Sequence, residues 1–146
     1  MASNPLGSLT GRLQETLASL PANPIPPDGG APQILELDDA PDAWNNLLRP
    51  YLQTARCFEI HCWQEEQAPI CLALQYGSVQ QSDWPYGTVI TGPVTPEFSD
   101  WLLHLSKPDD PAQQTIFFNL FLTGDTWRFE SCHYGTELYL IQKNKP

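Results

Sequence analysis

Positive charge is scarce in this chain: 146 residues carry 7 Lys and Arg against 17 Asp and Glu, a formal net charge of −10. A field of that sign repels phosphate backbones and anionic membrane surfaces, so direct nucleic-acid binding is not expected. Long hydrophobic runs are missing as well. The longest apolar stretch, residues 116–122, falls far short of the roughly 20 residues a helix needs to cross a bilayer, so no membrane association is expected. Residues 1–20 lack the basic start and continuous apolar core of a secretory leader. The four cysteines, Cys57, Cys62, Cys71 and Cys132, are therefore expected as free thiols in a reducing cytoplasm.

Chemical motifs are equally sparse. There is no Cys-x-x-Cys, no His pair at helical spacing and no acidic loop with the ligand order of a calcium site, so neither metal nor cofactor is expected. Nothing around any cysteine matches a nucleophile motif, and no internal repeat is present.

What the chain has instead is proline, aromatic residues and alternation. Prolines number 15, about twice ordinary usage of roughly 5%. Five of them fall in residues 21–32, marking a linker. The apolar share of 41% and a length suited to one domain predict a self-sufficient core. The organisation expected is an N-terminal amphipathic helix in residues 1–20, a Pro/Gly-rich linker in 21–33 and a single domain in 34–146. Ser8 would cap the first helix, with Leu9, Leu13, Leu17 and Leu20 on one face and Gly11 weakening it by about 1 kcal/mol relative to alanine. Such a stripe docks either on its own body or on a partner, because an isolated helix of this length is marginal in water.

A second helix is expected from Asp39 as cap and Pro41 in the first turn, with Trp44, Leu47, Leu48 and Tyr51 on its buried face and a bend or end near Pro50. In residues 56–63, Phe58, Ile60 and Cys62 alternate with Glu59 and His61, the pattern of a half-buried strand. A turn through Glu65, Glu66 and Pro69 and a returning strand in 70–76 would complete a hairpin. Residues 86–91 read as a third strand. Thr95 and Pro96 start a helix with Phe98, Trp101, Leu102 and Leu105 inward. Strands follow in 115–122, 126–132 and 136–142, joined by turns at Gly124-Asp125 and Tyr134-Gly135. Because 116–122 is apolar on both faces apart from Asn119, it reads as a central strand with helix on one side and a loop or partner on the other. The economical solution is α+β: an antiparallel sheet of about six strands with two or three helices packed mainly on one face.

Three functional readings follow. The first is a small acidic cytoplasmic protein that blocks a target surface without catalysis, in the manner of immunity proteins and inhibitors of defence systems. Its partner would be a protein, a basic one if the negative field takes part in recognition. Trp84 and Tyr86, beside Asp83 in the loop before residue 87, are the expected anchors, with Glu65 and Glu66 as an acidic rim. Trp84 has an alternative place, folded back over the sheet edge. The second reading is a small-molecule module in which Glu59 and His61 line a pocket beneath Trp84. The third is a Cys/His enzyme. Cys57 and His61 stand about 13 Å apart in a strand at ~3.3 Å per residue, so His61 would need Cys71, or Cys132 and His133, from neighbouring strands.

Overall fold

The computed structural model describes residues 31–142. The expected first helix and all of the linker up to residue 30 lie outside the described residues. Gln33, the last residue of the expected linker, opens the first strand.

The elements run β1 (Gln33–Leu35), α1 (Ala43–Thr54), β2 (Cys57–Trp63), α2 (Gln67–Ala73), β3 (Ser78–Gln80), β4 (Gly87–Pro93), α3 (Pro96–Leu103), β5 (Asn119–Thr123), β6 (Trp127–Cys132) and β7 (Glu137–Gln142). The strands form one antiparallel sheet in the order β1-β7-β6-β5-β2-β4-β3. The α+β architecture is as read from the sequence, with seven strands in place of about six. The two extra strands, β1 and β3, are three residues long and occupy the two edges, and the returning strand expected in 70–76 is absent.

That segment is the main correction. Residues 67–73 form helix α2, and β2 pairs with β4 and β5 instead of with the chain that follows it. Ile70-Cys-Leu-Ala-Leu carries apolar residues at both helical and strand spacing, and Pro69 fits a first helical turn. Tertiary burial decides: Ile70 and Ala73, three apart, are the inward pair.

α1 begins later and runs further than expected. Asp42, not Asp39, stands at its N-cap, and the helix passes through Pro50 to Thr54. Pro50 removes one backbone donor, yet Leu48 and Leu52 on either side are both buried in the core and hold the helix across it. α3 starts as read: Pro96 opens it and Thr95 Oγ1 accepts the Phe98 N–H at 3.0 Å.

The register assigns every strand residue to a face. Phe58, Ile60 and Cys62 of β2 share one face with Ile90, Leu120, Leu122, Phe129 and Leu138. Buried helix residues Trp44, Leu48, Leu52, Ile70, Ala73, Phe98 and Leu102 belong to the same apolar cluster, so all three helices lie on this side. At its centre Phe58 stacks on Phe98, centroids 4.1 Å apart and planes 5° from parallel.

Two turns fix the β5–β6–β7 meander. Gly124 N–H donates to the Trp127 carbonyl at 3.0 Å, which centres the first turn on Asp125-Thr126, one residue later than expected. Glycine is needed at 124 because a Cβ there would sit 2.3 Å from the Trp127 indole. In the second turn Gly135 has φ +84°, as expected, and His133 and Tyr134 before it are also left-handed, at 54° and 63°.

Candidate functional site on the helix-free face

The opposite face carries Glu59 and His61 of β2, Val89 of β4, Asn119 and Phe121 of β5, Arg128 and Glu130 of β6, and Glu137 and Tyr139 of β7. Strand alternation puts them there for the same reason that it puts Phe58 and Ile60 on the other side. His61 is fully buried, and Asn119 and Glu130 are buried as well. Buried polar groups are tolerable only when hydrogen-bonded, and here they form a chain across the strands.

His61 Nε2–H donates to Glu59 Oε2 at 2.5 Å, and Asn119 Nδ2–H donates to His61 Nδ1 at 3.1 Å. The His133 backbone N–H donates to Asn119 Oδ1 at 3.3 Å, which sets the amide orientation and, through it, the Nε2–H tautomer of His61. His133 Nδ1–H then donates to Glu137 Oε2 at 2.6 Å, and the Tyr139 hydroxyl donates to Glu137 Oε1 at 2.9 Å. Beside this chain Arg128 Nε donates to Glu130 Oε2 at 2.9 Å, while its guanidinium lies 4.6 Å above the centre of the Phe121 ring.

These contacts shift the acids and the phenol. The His133 hydrogen bond holds Glu137 below the ordinary carboxyl value. Burial alone would raise Glu59, but the hydrogen bond from the His61 N–H and the positive charge of Arg128 outweigh it, and Glu59 too is lowered. Tyr139 is pushed up to about 12 by burial and by its bond to Glu137.

The residues singled out in the sequence divide into two groups. Glu59, His61, Trp84 and Glu66 are drawn into the interior network. Trp84 is 3% exposed, its ring tilted 5.9 Å from His61 and edge-on to Trp63 at 5.0 Å, so it is folded back onto the sheet and offers no free anchor. Glu66 is no free rim charge either: Oε1 accepts the Trp63 N–H at 2.8 Å and Oε2 accepts the Tyr134 hydroxyl at 2.7 Å. Tyr86, Asp83 and Glu65 stay exposed. His133, expected near His61, joins it through Asn119, and Asn119, Glu137 and Arg128 complete the network without having been chosen for it. The sequence signal for one of them is Asn119 itself, a lone amide in an otherwise apolar strand.

Among the described residues, three hollows are formed by other side chains. One of about 560 Å³ runs along the β1–β7 edge past Ile34, Glu36 and Tyr139, and one of about 380 Å³ lies between α1 and α3 beside Arg49, Pro96 and Ser99. A third, of about 270 Å³, is lined by residues of the acidic segment before α1 and of α1 itself. Glu59, His61 and Trp84 line none of the three. All four cysteines are free, and no hydrogen bond joins one of them to a histidine among the described residues. Burial raises the Cys62 and Cys132 thiols well above their ordinary value. No group of His, Cys, Asp and Glu suited to a metal occurs among the described residues, nor does any helix long and apolar enough to cross a membrane.

Known proteins offer no guide. No family model, curated protein or solved structure matches the chain.

Proposed function

We propose that this chain is a non-catalytic protein-binding protein that blocks a partner's surface, and that it does so with the segment from Leu74 to Tyr86. One observation carries the reading. Of the four large apolar residues exposed among the described residues, Leu74, Val79 and Tyr86 all belong to this segment, at 40%, 61% and 55% exposure. The segment contains β3, the terminal strand of the sheet, whose outer side has no strand partner among the described residues. Three residues give too few backbone bonds for a long added ladder, so side chains would provide most of the affinity, with Tyr86 as the aromatic anchor. Asp83 in the same segment and Glu65 after β2 add acidic character, and the overall charge of −10 favours a basic partner and speeds its approach. The raised Cys62 and Cys132 thiols weigh against thiolate chemistry at those two positions.

The test is a low-salt pull-down from the native host followed by kinetics on the recovered protein. A stoichiometric basic partner is expected, with an on-rate that falls as salt rises. The Val79→Lys/Tyr86→Ala double variant is expected to weaken binding about tenfold or more. Full binding by that variant, or an on-rate indifferent to salt, would refute the proposal.

A single observation favours a second reading, a small-molecule module. The indole N–H of Trp84, buried near His61, has no hydrogen-bond partner among the described residues, so an acceptor on a ligand would relieve an unsatisfied donor. Thermal-shift screening with nucleotides and metabolites tests it: the reading requires a saturable rise in melting temperature that Trp84→Phe reduces.

A further inference from the structure

We infer that the hollow between α1 and α3 binds a small monocarboxylate with a compact apolar body, and that Arg49 is its counter-ion. The site shares no residue with the segment proposed to meet a partner, nor with the aromatic surroundings of Trp84. The first ground is open space of a suitable size. The hollow holds about 380 Å³, within the roughly 300–1,000 Å³ of small-molecule sites. Bonds between its walls fix its shape. Asn45 Nδ2–H on α1 donates to the Leu103 carbonyl of α3 at 2.8 Å, and the Val94 N–H ahead of α3 donates to the Arg56 carbonyl after α1 at 2.9 Å.

The second ground is charge. Of the other two hollows, one is lined by Glu36 and Glu137 and the other by Glu36 and Asp38, whereas this one is lined by Arg49 and by no acid. The described residues contain three arginines. Arg56 is paired with Asp125 and Arg128 with Glu130, and Arg49 alone has no carboxylate partner among the described residues. Its neighbours one helical turn away are Asn45, Asn46, Leu52 and Gln53, so no acid on α1 neutralises it. Glu97, in the first turn of α3, does not line the hollow. In a chain of net charge −10, an unpaired arginine at a concave site reverses the field locally and selects an anionic group.

The third ground is how the lining divides. Leu52, Val94 and Leu103 give an apolar surface continuous with the core, which suits a hydrocarbon or aryl body. Arg49 and Gln53, one turn apart on α1, and Ser99 on α3 supply a guanidinium, an amide and a hydroxyl. No hydrogen bond to another described residue engages these three side chains, whereas the Thr95 hydroxyl beside them is taken up by the Phe98 N–H. The planar fork of a guanidinium matches the two oxygens of a carboxylate, with the amide and hydroxyl as further donors. A phosphate ester would bring a second negative charge, which the field of the whole chain opposes more strongly.

The test is a titration of the full chain with octanoate, followed through its amide signals by NMR. Saturable shifts are expected at residues 49–55 and 94–103. Arg49→Ala, at an exposed position, should weaken octanoate by about threefold or more while the rest of the spectrum stays in place. Acetate, which lacks the apolar body, should bind about tenfold more weakly or worse. Octan-1-amine, with the same tail and the opposite charge, should leave these amides where they are. No saturable shift there, a smaller loss in the variant, acetate closer to octanoate than that, or a response to the amine would overturn the inference. So would tighter binding of octyl phosphate, which would make the ligand a phosphate ester.

Discussion

The two faces of this sheet solve the problem of burial by different means. On the helix side Phe58, Ile60, Leu120, Leu122 and Phe129 meet the helices through shape and area alone. On the other side Glu59, His61, Asn119 and Glu137 are fixed by donors and acceptors of definite direction. Apolar packing tolerates small shifts and degrades gradually, whereas a hydrogen-bonded chain fails where one member is lost. The comparison teaches that a β-strand with strict alternation can run both kinds of interior at once, one residue apart.

The largest effect expected in breaking this contrast is on the helix side. Phe58→Ala removes a fully buried ring stacked on Phe98 and should cost about 3–5 kcal/mol in urea unfolding. Asn119→Ala should cost about 2–3 kcal/mol, since it leaves His61 Nδ1 and the His133 N–H unpaired. Adding His61→Phe to Asn119→Ala should recover part of that loss, because one orphaned group is then removed. No such recovery would accompany a second truncation on the helix side. If Asn119→Ala were neutral, the network would carry no stability and the contrast would collapse.

Acid titration sharpens the comparison further. Glu59 and Glu137 are both held below their ordinary value of 4.5. Their contribution to stability is therefore complete above about pH 4.5 and is lost as pH falls through the lower folded-state values. Urea midpoints measured downward from pH 6 should fall less steeply in Glu137→Gln than in the parent chain, while Phe58→Ala should keep the parent's slope. The smallest effect is at the β3 edge, where Val79→Lys should change stability by no more than about 0.5 kcal/mol while weakening partner binding.

Much of this arrangement is legible from residues alone, and the parts that are not have physical reasons. β2, β4, α3, β6 and β7 follow from alternation, from the Thr95-Pro96 start and from two glycine turns, and β5 from its apolar run, although the strand expected from residue 115 begins only at Asn119. The segment 67–73 misleads because the apolar run Ile70-Cys-Leu-Ala-Leu fits both periods, and only packing of Ile70 and Ala73 separates them. β1 and β3 leave no local signal, since three-residue edge strands exist only through the neighbours that pair with them. At the site, Glu59 and His61 are recognisable as a pair at i, i+2 on one strand face. The joining of His61 to His133 through Asn119 depends on strand order β6-β5-β2, a long-range fact that no local pattern encodes.

The left-handed run His133-Tyr134-Gly135 bears on how the chain reaches its final form. Two non-glycine residues in that conformation oppose the turn locally. Within the turn the Thr136 N–H and hydroxyl both donate to the His133 carbonyl, and further support comes from far along the chain: the Phe118 carbonyl accepts the Tyr134 N–H, and Glu66 accepts the Tyr134 hydroxyl. A hairpin that draws part of its support from such distant partners is expected to close late. β6 and β7 should zip last, onto strands already assembled, so Tyr134→Phe should hasten unfolding and leave the refolding rate untouched in stopped-flow measurements.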